Sequence, residues 1–563
     1  MSTEPGSLGN FYLLIEDESC KSSETYWTVL KIKNRYRWEA NLTRSFLYVI
    51  KLYMKQGRGL LLCIIIFVIA SCGSGAGSAG ISSSSLGSPP SGSSPSTTSN
   101  QINYQLSSPA ATDKYVFVAN TTNNTVAKIE ESTHVITSIP VGMMPTIVDV
   151  TPDNKTAVVF NSGDYSVSLI DISTDTVSTL PVDMYDNNMV LSPSGNVAIT
   201  YFDPSKSSSF AANPTRNFNE ISIVNIISGT STLVNVGYLP YMIMFTADGS
   251  KAIAVTTSML GVIDLNNSYV VTRYQLVNPL LQKIVPSSLK LTSDGRFALA
   301  VIQNSSDIVI QDIINGNQTI LALGPTVTDI ALTIDSSRAI AVNEGNGSLS
   351  YITLSTFSVT TQYTGLDINH IVVSPDGKGA MLYTNSPTTT TSAGESVYVL
   401  SFTDGSIQSY PVIKAVNSVI MVPFTTTTGI SSAIIVHTGP GGSSSDPVQQ
   451  FFFNHYAITM FDMTTGVATP VALVSAPTLF AVSNDGVYGY AMMPDTDAVA
   501  ILNFVTQLST GVYVPSTPTF IGVMPGTHTA YIGETYPLGR LSFIEPDSST
   551  LLSTVTGFEL MTH

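Results

Sequence analysis

The sequence predicts an all-β fold, a β-propeller of about ten four-stranded repeats. Three observations carry that expectation. From about Gln101 onward, short runs of Val, Ile, Leu, Thr and Tyr alternate with turn residues, with no sustained helical periodicity. A turn of the type Ser/Thr-x-Asp-Gly recurs at a base spacing of roughly 41 residues, within the range of one propeller blade. The chain has 43% apolar but only 11% charged residues, which suits sheets packed on both faces by their neighbours.

The turn appears as Ser192-Pro-Ser-Gly195, Thr246-Ala-Asp-Gly249, Thr292-Ser-Asp-Gly295, Ser374-Pro-Asp-Gly377 and Ser483-Asn-Asp-Gly486, with a looser copy at Ile334-Asp-Ser-Ser337. Asp and Pro pre-set a tight turn and Gly accepts positive φ, so this chemistry closes a hairpin. A third strand recurs as Ser166-Val-Ser-Leu-Ile-Asp171, Ile221-Ser-Ile-Val-Asn225, Leu260-Gly-Val-Ile-Asp264 and Leu541-Ser-Phe-Ile544. Degenerate copies fall near Pro423 and Pro525. One continuous ring is expected, because no second linker interrupts residues 101–563; two smaller rings are the alternative.

The segments before the repeats read in order as an address. Lys55 and Arg58 precede an apolar run at residues 60–70, which is signal-peptide length and shorter than the ~20 residues a spanning helix needs. The run ends Ile69-Ala-Ser-Cys72, which resembles the lipobox of bacterial lipoproteins. That resemblance implies cleavage before Cys72, a diacylglycerol on its sulfur, and residence in the bacterial cell envelope, at the outer membrane or cell surface. Residues 54–71 are then the signal peptide, and residues 1–53 an over-extended start or a cytoplasmic tail. Residues 72–100 are the lipidated Cys and a Gly/Ser/Pro tether, which from Gly73 onward carries no charge and would span about 30 Å as a random coil.

The repeats also resemble the YVTN-type propeller units of microbial surface proteins. The likeness rests on Ser374-Pro-Asp-Gly-Lys378, Val118-Ala-Asn120, Asn124-Thr-Val126, the third strand at residues 166–171 and Ile139-Pro-Val-Gly142. It implies a propeller without the Trp signature of Trp-Asp repeats; both tryptophans, Trp27 and Trp38, precede the repeats.

Charge and composition limit the partners. The formal net charge is −16, with no basic block beyond residues 31–58, so nucleic acid is not expected. The three cysteines are Cys20, Cys63 and Cys72, which leaves the repeats without a disulfide or a Cys-ligated metal. No cofactor is called for. The oxygen-rich turns Asn161-Ser-Gly-Asp164 and Pro494-Asp-Thr-Asp497 lack the spacing of a calcium loop.

Blade topology places three expanded loops, at residues 203–220, 386–395 and 438–455, on one face. Asp203, Phe210, Phe451, Phe452, Phe453, His455 and Tyr456 form the candidate binding face, for an unknown protein or glycan. The opposing expectation is an insert that folds its phenylalanines under a blade edge. No catalytic residues are assigned: the histidines form no paired motif, and Gly-x-Ser-x-Gly is absent. The function expected is a non-enzymatic binding or surface scaffold, with a lactonase-like enzyme and an architectural surface-layer component as alternatives. The C-terminal segment 558–562 is expected to pair with the first blade near Tyr115 to Ala119 and close the ring.

Overall fold

The computed structural model describes residues 109–558, apart from 207–217, 257–258, 278–287, 303–304, 325, 344–346, 386–395, 426–428, 430, 537 and 549–550. It also traces four N-terminal strands. The chain divides into one unit over Met1–Gly77 and another over Ser78–His563. In the first, Ser19–Ser22 pairs antiparallel with Thr25–Thr28, and Tyr48–Lys55 with Leu60–Phe67. Cys72 and the tether lie outside the described residues. Among the described residues no helix is long and apolar enough to cross a membrane.

The second unit is a single ring of ten four-stranded antiparallel blades, each a meander of consecutive strands. Blade 1 runs from Ala110–Ala111 to Ile136–Pro140, and blade 2 from Pro145–Val150 to Val177–Pro181. Blade 3 opens at Asn188–Leu191, blade 4 at Pro240–Phe245, blade 5 at Ser288–Leu291, and blade 6 at Val327–Leu332. Blades 7 to 10 open at His370–Val373, Val416–Met421, Leu479–Val482 and Pro518–Val523, and the last strand is Leu552–Thr556. The degenerate copies near Pro423 and Pro525 are the first turns of blades 8 and 10.

Strand alternation builds the core. Val158 faces blade 3 beside Met189 and Ala198, while its neighbour Val159 faces blade 1 beside Phe117 and Val126. Both valines are wholly buried, worth about 1.5–3 kcal/mol each by the usual burial scale. Such apolar layers fill successive junctions to blade 9, and a last one joins blades 9, 10 and 1 through Tyr490, Phe520, Phe543, Val116 and Ile129.

The recurring turn has a specific construction. In blade 2 the Thr151 hydroxyl donates to Asp153 Oδ1 at 2.7 Å and accepts from Thr156 N at 3.0 Å. Ser374 repeats this with Asp376 (2.6 Å) and Gly379 N (3.1 Å), and Ser483 with Asp485 (2.6 Å) and Tyr488 N (3.0 Å). The hydroxyl thus bridges both ends of the hairpin, and the glycine that follows sits at φ +71° in Gly377.

Inner strands differ by parity. Those of blades 2, 4, 6, 8 and 10 are six residues long and carry a register shift near the first residue. Those of blades 3, 5, 7 and 9 are four residues long and regular. Opposite the first residue of each shifted strand stands a buried polar side chain: Asn161, Thr256, Asn343, His437 or Glu534. Pro145, Pro240 and Pro518 open three of the five, where a missing N–H costs no ladder bond.

The expected closing strand falls mostly on residues 559–562, which lie outside the described residues. The inner edge at Val116 and Phe117 is occupied by Ala110–Ala111 of the same blade. Blade 10 reaches blade 1 by side chains: Tyr531 OH donates to Pro109 O at 3.1 Å, and the His134 ring stacks on Phe543. Phe558 is buried in the seam and its carbonyl accepts from Asn120 Nδ2 at 3.4 Å. Residues 101–108, which precede the Ala110–Ala111 strand, also lie outside the described residues.

Candidate functional site

The second-to-third strand ends and the inter-blade connections share one face, called here the loop face. Its described excursions sit on blades 3 and 8, and the third, residues 386–395 of blade 7, lies outside the described residues. Blades 3 and 8 are half a turn of the ring apart. Asp203 is therefore across the ring from Phe451, Phe452, Phe453, His455 and Tyr456, and the expected residues form two separate groups. Phe210 lies outside the described residues.

On blade 3 the loop leaves from a polar knot. Asn187 exchanges a pair of bonds with Asp203: Asp203 N donates to Asn187 Oδ1 at 2.6 Å and Asn187 Nδ2 to Asp203 O at 3.0 Å. Blade 7 repeats the clamp with Asn369 and Asn385, at 2.8 and 3.2 Å. One asparagine just before an inner strand thus holds the foot of the blade 3 and blade 7 inserts, a signal present in the sequence and not singled out there. Beside the knot, Asn188 Nδ2 donates to Tyr201 OH at 2.8 Å, and Lys206 Nζ donates to Asn188 Oδ1 at 2.8 Å. Burial lowers the Lys206 pKa and raises that of Tyr201. Phe202 and Phe218, 4.4 Å apart, close the loop's base over Leu239.

Asp186, just before this knot, is buried. Burial pushes its pKa up to about 7 against the hydroxyls of Thr200 (2.5 Å) and Ser222 (2.8 Å), which donate to its Oδ2. It can hold a proton at neutral pH, though both hydroxyls already bind it from inside the blade.

On blade 8 the excursion folds into a short helix, Pro447–Phe453. Asp446 caps it, its Oδ1 accepting from Val448 N at 2.7 Å and Gln449 N at 3.0 Å. Phe452 is buried with Ala457 and Ala472, and Phe453 lies over Gly442. Phe451 stays 39% exposed, with the His455 ring 4.3 Å away and His455 Nδ1 bonded to Phe451 O at 2.7 Å. Tyr456 starts the third strand and is half-buried. The insert therefore turns two phenylalanines inward and one outward.

Beneath it, buried Lys414 donates from Nζ to His455 O at 3.1 Å, and burial pulls its pKa down to about 8. Buried His437 is held neutral, its pKa lowered by burial to about 4; its Nε2 meets Thr459 Oγ1 at 2.8 Å.

A third polar group sits on the opposite face. His528 lies between Asp485, at 2.7 Å from Nε2, and Asp547 at Nδ1, while Tyr488 OH donates to Asp547 at 2.9 Å. Burial alone would lower the His528 pKa, but the two carboxylates outweigh it and raise it. Both ring nitrogens then donate, which suits an ionic pin between blades 9 and 10. His528 and Asp485 are distant in sequence and read there as unrelated residues. Among the described residues no group of three or more His, Cys, Asp or Glu has the arrangement to hold a metal ion.

No family model matches the chain, and no curated protein matches it. Solved structures do. A dihydro-heme d1 dehydrogenase, NirN, superposes with TM-score 0.43 at 11% identity, covering 72% of this chain and 74% of that one. A eukaryotic initiation factor gives 0.46 at 13%, covering 70% and 94%. Kuenenia stuttgartiensis hydrazine synthase gives 0.31 at 12%, covering 80% and 94%. All three TM-scores are below 0.5.

Proposed function

We propose that this chain is an envelope-anchored, non-enzymatic scaffold, lipidated at Cys72 and tethered by residues 73–100, that presents its loop face to a protein or glycan partner. The supporting observation is that the blade 8 insert and the described feet of the blade 3 insert stand on one face of a ring whose blades are locked together by continuous apolar layers. Loops on a rigid frame are where recognition is usually built. The anchor reading is supported by the n-region, the apolar run and Cys72 in the sequence.

The test is metabolic labelling with an alkyne fatty acid in a bacterial host. The native chain should carry the label and fractionate with membranes; Cys72→Ser should lose the label and leave the membrane. A Ser variant equally membrane-bound would sink the anchor. For recognition, a photo-cross-linking residue at Phe451 should capture an envelope component, and one at Val505 on the opposite face should not. Equal capture at both positions would retire the loop-face reading.

A further inference from the structure

The loop face of blades 1 to 3 carries an exposed apolar surface apart from the long inserts. Met143 and Met144 lie in the connection from blade 1 to blade 2, Tyr165 in the second-to-third turn of blade 2, and Met184 in the connection to blade 3. They are 54%, 48%, 42% and 55% exposed. Backbone bonds sew these segments into one surface. Ser162 N donates to Met144 O at 3.0 Å, Gly163 N to Met143 O at 2.9 Å, and Val182 N to Tyr165 O at 2.9 Å. Met143 N donates to Asp164 Oδ2 at 3.0 Å.

Two features separate this surface from scattered surface apolar residues. Met144 and Tyr165 both stand at φ +52°, a left-handed backbone that bulky side chains avoid and glycine would fill without strain. The chain nevertheless places a thioether and a phenol there, in solvent. The charge is also one-sided. Residues 120–124, 141–144, 161–166 and 181–187 contain Asp164, Asp183 and Asp186 and no Lys, Arg or His. Asp186 is buried, so Asp164 and Asp183 supply the rim.

We infer that this surface docks an apolar, cationic segment of a partner protein, its apolar side chains on Met143, Met144, Tyr165 and Met184 and its cations toward Asp164 and Asp183. Methionine's flexible, polarisable side chain adapts to varied apolar partners, and the acidic rim selects the sign of charge. The inference rests on the reading of the loop face as the recognition surface.

The probe is a fluorescent amphipathic Leu/Lys peptide, with Leu/Glu and Ser/Lys peptides beside it, titrated against the full chain by fluorescence anisotropy. The Leu/Lys peptide should bind and the other two should not. Met143→Ser, Met144→Ser and Met184→Ser together should weaken binding at least about tenfold, and Asp164→Asn with Asp183→Asn about threefold with a shallower salt dependence. Val505→Ser with Leu508→Ser, on the opposite face, should leave it unchanged, as should deletion of residues 439–453. Absence of Leu/Lys binding, equal binding of Leu/Glu, or affinity unaltered by the methionine changes would overturn the inference. Loss of envelope cross-linking at Phe451 with peptide binding intact would count against the blade 8 loop alone.

Discussion

Asp186 shows how one buried side chain ties stability to pH. Its pKa in the folded chain is raised from an ordinary carboxylate value near 4 to about 7. The folded form thus holds a proton that the unfolded form has released. Its contribution is therefore fully present below about pH 4 and is lost as pH rises toward 7, at a slope of up to about 1.4 kcal/mol per pH unit. Asp186→Asn, which keeps an oxygen to accept from Thr200 and Ser222 and cannot ionise, should flatten that slope. Urea unfolding at pH 5, 6, 7 and 8 checks it: the midpoint of the native chain should fall across the series more than that of the variant.

At the scale of the strand and the turn, what the sequence made legible was local chemistry. The Ser/Thr-x-Asp-Gly turns could be read because hydroxyl, carboxylate and glycine act within a few residues of one another, as Ser374, Asp376 and Gly377 do. The helix at Pro447–Phe453 was not read. Its cap, Asp446, lies in a run of Gly and Ser that resembles a loop, and the inward turn of Phe452 depends on Ala472 in the next strand. The candidate site was legible only in part, because whether Asp203 and Phe451 are neighbours depends on how many blades close the ring. The register shifts of the even blades were also hidden, being a property of pairing. Their polar fillers have a measurable role. Asn343 Nδ2 donates to Ser348 Oγ at 3.1 Å and Ser350 Oγ at 2.8 Å in a buried setting. Asn343→Ala should cost about 1–3 kcal/mol, read as a drop in the unfolding midpoint, whereas Thr356→Ala in an exposed turn of the same blade should change it little.

Across the whole molecule, stability depends on the seam between blades 10 and 1. Every other junction joins blades adjacent in sequence; this one joins residues more than 400 positions apart, such as Tyr531 and Pro109. Among the described residues beyond the last strand, Phe558 is the large apolar side chain buried in the seam. Phe558→Ala should destabilise by about 3–5 kcal/mol if the seam unfolds with the rest. Differential scanning calorimetry should show the single transition moved to lower temperature. A variant melting with the native chain would mean that the side-chain contacts of His134, Phe543 and Tyr531 close the ring unaided.

The alternation of shifted and regular inner strands gives the ring a parity. From blade 2 to blade 10 each junction sets a six-residue inner strand against a four-residue one. Adding or removing a single blade within that run would bring two edges of one kind together, a junction absent among the described inner strands of blades 2 to 10. Adding or removing two would create only junctions it already has. From blade 2 to blade 10 the repeat of the inner edge is therefore a pair of blades, twice the period of the four-stranded sheet.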